Sequence, residues 1–530
     1  MKKLFLLLLF LGVLRGLFAE TYYVPEDYGT IQGAIEGVID GDIVIVSPGV
    51  YEENINFIGK AITLGSLYYT TQDTSYIAET IIDGGDLNSV VVFENEEEST
   101  TVLTGFTITN GHADEGGGIR CYHSSPGIDN LIVHDNWALI GGGLHIEGSD
   151  VILSEMRISN NTAMYDGAGV FVISNISLTI MNSRIINNTT QDGWGGGIMI
   201  WETGTHLINV YIAGNHADGD GGGIYAKNLN DDMENVIVEN NTATENGGGI
   251  YLRSSKSALL NCVIADNSAG SMGGGIYFQY STHDLINVTL ANNTADSGGG
   301  IYCFYNCNII LVNTIMWGDN GQEIYFAESE SANTVVVAYA DIDNGIEGIV
   351  TNNNGEVIWL EGNMDSDPLF DDQPGWEYHL SPLSPCIDSG TTYFEIEGEV
   401  LVDLDEDEYW GESVEMGAYE YELVETEEFK IENVKCKISN YPNPFYMDNS
   451  RSGFTQISFY LANDSHASLD IYNCRGRKIK NLIDKTMTAG EHQLKWDGCA
   501  ANGSQAASGV YFYKLSTGEF SETRKLLLIR

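Results

Sequence analysis

Val236-Ile237-Val238-Glu239-Asn240-Asn241-Thr242-Ala243-Thr244-Glu245-Asn246-Gly247-Gly248-Gly249-Ile250-Tyr251-Leu252-Arg253 is the stretch that decides the fold, because the chain keeps repeating it. The glycine triplet with its aliphatic follower recurs from Gly116, Gly141, Gly195, Gly221, Gly247, Gly273 and Gly298, and Gly167-Ala168-Gly169-Val170 fills the one gap. Successive starts lie 25, 26, 28, 26, 26, 26 and 25 residues apart. So regular a period means one structural unit stacked on copies of itself.

A second signal runs in phase with the first. Val133, Ile158, Ile185, Ile212, Val238, Ile264 and Leu290 are each followed three residues later by Asn136, Asn161, Asn188, Asn215, Asn241, Asn267 and Asn293. Six residues before those Asn stand Asn130, Asn182, Asn209, Asn235, Asn261 and Asn287, with Glu155 in the remaining place. The intervening segments are short, rich in Ile and Val, and either alternate apolar with polar residues or run continuously apolar, which reads as strands. Short strands between Gly and Asn corners predict an all-β fold, a parallel β-solenoid of about 26 residues per coil. Its coils pair at about 4.8 Å. The Asn are expected to take left-handed corners and to bond amide to amide, and the glycines to supply unusual φ values and close backbone approach.

The triplet followed by Ile, Leu or Val, paired with aliphatic-x-x-Asn, resembles the repeats of polymorphic outer-membrane proteins within the right-handed parallel β-helix (pectate-lyase-like) superfamily. The resemblance covers roughly residues 100 to 320, with Gly where that family usually has Ala and Ile where it has Phe. It implies a right-handed coil.

The ends read differently. Met1-Lys2-Lys3, an apolar run from Leu4 to Leu14 broken only by Gly12, and Ala19 predict a signal peptide over residues 1–19. Ile31, Ala34, Ile35 and Val38 fall at helical spacing behind Thr30, so a short helix should cover the first coil of a β-helix spanning 20–320. Residues 321–425, where the repeat decays, are expected to cap its open lower edge. An acidic linker over 426–435 precedes a compact β-sandwich over 436–530. Its strings Tyr441-Pro442-Asn443-Pro444-Phe445, Ile471-Tyr472-Asn473, Trp496-Asp497-Gly498, Ser508-Gly509-Val510-Tyr511-Phe512-Tyr513 and Lys525-Leu526-Leu527-Leu528-Ile529 resemble the C-terminal sorting domain of type IX secretion, related to the Ig-like domain of flagellar hook-capping proteins. That resemblance implies export by a Gram-negative-type bacterium, with the protein secreted or held on the outer-membrane surface, and the export machinery as one partner.

Asp and Glu number 75 against 24 Lys and Arg, a formal charge of −51, which argues against nucleic acid as a partner. Eight cysteines show no metal-ligand doublets and read mostly as buried small hydrophobes; a Cys474–Cys499 bridge stays open.

Alternation along the strand sends the residue after each inward Ile outward. That column reads Arg120, His145, Phe171, Met199, Tyr225, Tyr251, Tyr277, Tyr302, and the next outward column reads Tyr122, Glu147, Ile173, Trp201, Lys227, Arg253, Gln279, Phe304. Trp201, Tyr225, Lys227, Tyr251, Arg253, Tyr277 and Tyr302 are therefore the candidate ligand-binding residues, since aromatic rings beside polar groups suit sugars or a protein partner. The competing reading, tyrosines that only stabilise the sheet by stacking, is left open. Asp403, Asp405 and Asp407 alternate like the start of a calcium loop and make calcium the one cofactor to consider, although the central Gly and closing Glu of an EF-hand are missing. The ordered Asn-Thr-Asp, Asp-Asp, Gly-His-Gly and Arg-Ile-Lys strings that mark polygalacturonases of this superfamily are absent, and Asp231-Asp232 and Gly111-His112 do not replace them. The expectation is a monomeric adhesin or binding protein for a polysaccharide or cell surface; a polysaccharide lyase or glycoside hydrolase is the alternative.

Overall fold

A computed structural model describes residues 19–174, 177–202, 204–329, 331–371, 373, 377–396, 398–404, 413–420, 438–441, 445–446, 454–461, 465–473, 477–488, 490–501, 505–506, 509–517 and 521–529. The predicted signal peptide up to residue 18, Asp405, Asp407, the linker and Pro442-Asn443-Pro444 lie outside the described residues. The chain divides into two units, residues 1–422 and 423–530.

The first unit is the expected all-β parallel solenoid, about 13 coils of roughly 26 residues. Each regular coil contributes to three sheets. A 24-stranded sheet receives two strands per coil and forms the long face; a 12-stranded sheet receives the strand after each glycine triplet and forms the glycine face; a 7-stranded sheet forms the short face between them. Register follows the sequence repeat, with Ile224 opposite Ile250 and Ile250 opposite Ile276. The inward residues, among them Val238, Ile250, Leu252, Ile264, Ile276 and Phe278, make one continuous apolar core.

The corners divide their labour more finely than the sequence suggested. The Asn of aliphatic-x-x-Asn are buried and form the ladder: Asn241 N and Nδ2 both donate to Asn267 Oδ1 at 3.0 Å, and Nδ2 also donates to Ile212 O at 2.9 Å. The left-handed corner falls on the residue before, such as Asn160 (φ 56) or Asn240 (φ 55). The other Asn column is left-handed itself (Asn209, φ 54) and its Nδ2 reaches Asn182 Oδ1 at 3.0 Å. Within the triplet the first glycine carries the positive φ (Gly247, +65), while a Cβ on the third, Gly249, would meet Gly275 O at 2.7 Å.

The helix runs from Ile31 to Gly37, with Thr30 accepting from Gly33 N and Ile31, Ala34 and Ile35 buried. The coils outlast their glycines. Ile324–Phe326, Asn333–Ala338, Asp341–Ile342, Ile349–Val350 and Gly355–Trp359 continue the parallel pairing, so the boundary expected at 320 moves beyond Trp359. Inward Ile324, Phe326, Val335 and Val337 suffice for that, because the core and the strand ladder need apolar residues and not the triplet. The capping region is also revised. The described residues between about 365 and 420 lie back along the outer side of the long face, where Tyr378 packs on Val263 and Ala291, Phe394 on Ile286 and Val312, and Leu380 and Met416 on Ile315. Tyr378 also donates to Asp266 Oδ2 at 2.5 Å.

The second unit holds a 3-stranded and a 5-stranded sheet. Ile457, Phe459, Leu469, Ile471, Trp496, Tyr511, Tyr513, Leu526 and Leu528 form its core, of which Ile471, Trp496, Tyr511, Tyr513, Leu526 and Leu528 come from strings singled out in the sequence.

Candidate functional site

The column after each inward Ile leaves the solenoid core, as alternation requires, yet it is buried in a second apolar cluster of its own. Tyr225, Tyr251, Tyr277 and Tyr302 are 3%, 6%, 5% and 5% exposed, so their rings offer no open stacking face. They stack on one another instead, with centroids 4.8, 4.6 and 5.2 Å apart and planes within about 11° of parallel. Parallel register places identical side chains one strand spacing apart, which is the stacking distance of aromatic rings. Burial lifts the phenols of Tyr251 and Tyr277 far above the ordinary range and that of Tyr302 to about 12, so all three stay neutral. Trp194, from the loop before its triplet, closes one end on Tyr225 at 5.3 Å, and Tyr325 extends the stack beyond Tyr302 at 5.5 Å. Sequence reasoning missed both: Trp194 sits outside the column, and Tyr325 follows the point where the glycines stop.

The next column stands at the surface, supported by this ladder. Lys227 Nζ lies 4.3 Å from the ring centroid of half-buried Trp201 and 3.5 Å from Glu202 Oε1. Exposed Arg253 hydrogen-bonds Tyr225, and Tyr251 donates to Gln279 Oε1 at 3.2 Å. The buried phenols thus fix the side chains beside them. Next to Gln279 and Phe304, Tyr280 and Tyr305 occupy left-handed corners (φ 53 and 59) and stack at 5.4 Å, with Tyr280 47% exposed. Left-handed backbone is rare for a bulky residue, and such outliers concentrate at functional sites. The equivalent corners in the other coils, His123, Gly148, Ser174, Glu202, Asn228 and Ser254, are left-handed too, so the repeat imposes the conformation and the signal for this pair was two successive tyrosines at it.

On the other side of Trp194, a cleft of about 370 Å³ is lined by Tyr165, Asp166, Asp192, Asp218 and Glu245. Burial raises the Asp166 carboxyl above its ordinary range, although it accepts from Trp194 N. Burial also brings Asp220 to about 6, against the hydrogen bonds from Asn246.

The remaining candidates separate. Asp403 ends a hairpin strand opposite Tyr393, away from the ladder. Asp232 accepts from Ala258 N, and His112 bonds Asp86 and packs at a tilt against Trp137, so both have structural occupations.

Residues 196–364 match the family described as "Right handed beta helix region", and residues 448–519 the "FlgD Ig-like domain". Residues 69–260 match "Periplasmic copper-binding protein (NosD)". No curated protein matches. A solved structure titled as a probing of PorZ, an essential bacterial surface component of the type-IX secretion system of Porphyromonas gingivalis, is similar at 24% identity over 18% of this chain, with a TM-score of 0.14. The alignment spans 11% of that protein's chain.

The copper in the NosD description finds no fitting donors. Cys121 is buried and hydrogen-bonded to Ser124 and Ser149, His145 is stacked on Phe171, and burial drives its imidazole well below the usual range. Among the described residues, no three His, Cys, Asp or Glu gather to hold a metal ion.

Proposed function

We propose that this is an exported surface protein that binds glycans through the row Trp201, Lys227, Arg253, Gln279 and Phe304, with Tyr280 and Tyr305 at its edge. The observation that carries the reading is the stacked pair Tyr280–Tyr305, kept in a costly backbone conformation with Tyr280 turned to solvent. Flat rings beside amide and basic groups match the apolar face and hydroxyls of a sugar. Carboxylates flank the row at Glu202 and in the cleft beyond Trp194, which favours a neutral, hydroxyl-rich saccharide. In this reading Tyr225, Tyr251, Tyr277 and Tyr302 position the row and do not touch the ligand.

Export fits the apolar N-terminus, and the FlgD-like domain would serve as the sorting module; the NosD description of a periplasmic protein points to the same side of the inner membrane. A glycan array probed with the mature chain, run beside an absorbance assay for unsaturated lyase products, tests the reading. Binding without product formation is expected; product formation would favour the polysaccharide lyase alternative, and an array with no bound glycan would refute the proposal.

A further inference from the structure

Among the described residues, the outer side of the long face is roofed at both ends and open between. At one end the helices Leu67–Thr71 and Ser75–Glu79 overhang it, with Thr107 Oγ1 donating to Ile77 O. At the other, Tyr378 and Tyr419 cover Ile237 and Val263. The open window holds Ile132, Arg157, Arg184 and Tyr211, consecutive register partners in neighbouring coils. Arg157 and Arg184 are both exposed.

Like charges directly opposite one another destabilise a sheet, and carboxylates in this chain outnumber basic residues 75 to 24. Arg120 accordingly bonds Glu94 and Glu115, and Lys227 bonds Glu202. Among the described residues, neither Arg157 nor Arg184 lies within ion-pair distance of a carboxylate. Arg184 instead lies 4.1 Å from the Tyr211 ring centroid. Arg157 and Arg184 both line a cleft of about 210 Å³ together with Asn130, Asn182, Glu155 and Ile77.

We infer that this window is a second binding site, independent of the Trp201 row and on a different face, for a saccharide bearing an oxyanion. Arg157 and Arg184, paired through their backbones in neighbouring coils, can reach a sulfate or carboxylate in the cleft from two coils. The carboxamides and Glu155 accept and donate to hydroxyls, and Ile77 and Ile132 take the apolar face of the ring. Glu155 leaves the cleft with a net single positive charge, enough to select one anion and to discourage closely spaced ones.

The full mature chain is titrated at physiological ionic strength with dextran sulfate, polygalacturonate, neutral dextran and polyglutamate, as wild type, as Arg157→Ala/Arg184→Ala and as Trp201→Ala. Binding to one acidic saccharide is expected, and which of the two binds names the anion. The double arginine variant, with an unchanged melting temperature, should weaken it by about tenfold or more, while Trp201→Ala leaves it unchanged. Equal binding by the arginine variant, binding of neutral dextran by the Trp201→Ala protein as tight as that of the acidic saccharide, or binding of polyglutamate as tight as that of the saccharide would each overturn the inference, as would no binding of either acidic polymer.

Discussion

Asp319 stands where the buried Asn ladder would have its next rung, and Asp319→Asn should stabilise the protein. Its Oδ1 already accepts from Asn293 N at 2.6 Å and Asn293 Nδ2 at 2.9 Å, as an Asn would. The difference lies on Oδ2, which faces the buried Glu323 side chain, whose Oε1 accepts from Asp319 N at 3.2 Å. Burial raises both carboxyls, and Asp319 pushes Glu323 further up, so Glu323 keeps its proton at neutral pH. The folded state therefore binds protons that the unfolded chain releases above the ordinary carboxylate range. Stability falls as pH rises from there toward the raised folded values, by about 1.4 kcal/mol per pH unit for each such group. At pH 7 Glu323 alone costs the fold about 3 kcal/mol. Burial still holds Glu323 protonated in the variant; what the substitution removes is the titration of Asp319, whose rise to about 6 costs the fold about 3 kcal/mol at pH 7, so about 1–3 kcal/mol should return at pH 7 and nearly none at pH 4. Thermal unfolding of both proteins across that range, with hydrogen exchange at the Asn293 amide to localise the change, reads it. A lower melting temperature for the variant at pH 7, or the same increment at pH 4 as at pH 7, would refute the reasoning.

Asn241→Ala strips the acceptor from Asn215 N and Nδ2 and the donor from Ile212 O; a loss of about 2–4 kcal/mol is expected, read as faster exchange at the Asn215 amide. Gly249→Ala drives a methyl onto Gly275 O and should cost about 1–3 kcal/mol in denaturant unfolding. Tyr277→Ala empties the middle of the ladder and should cost about 3–5 kcal/mol, which calorimetry would register as a lower melting temperature even without ligand.

The architecture was legible because a solenoid writes its period into the chain: the triplets, the Asn column running from Asn130 to Asn287 and the Thr30 cap met the corner or helix end their chemistry suggested, while the column from Asn136 to Asn293 formed the expected amide ladder and left the left-handed corner to the residue before it. The site was half legible. Alternation correctly sent Tyr225 and Tyr251 out of the core, but it carries no information on what covers an outward residue, and here the rings and Trp194 cover one another. The coils after residue 320 were hidden because Ile324, Phe326 and Val335 maintain pairing without any glycine to mark it. The segment along the long face was hidden for a different reason: contacts such as Tyr378 on Val263 join stretches of chain with no shared period.

Tyr280→Asn asks whether the Trp201-to-Tyr305 surface binds a ligand. Asn accepts a left-handed corner that Tyr occupies at a cost, so the substitution relieves strain while removing the exposed ring. Thermal stability and affinity for the glycan selected on the array are measured together on the full mature chain. An unchanged or higher melting temperature with weakened glycan binding is expected. Undiminished binding by a stably folded Tyr280→Asn protein would contradict it.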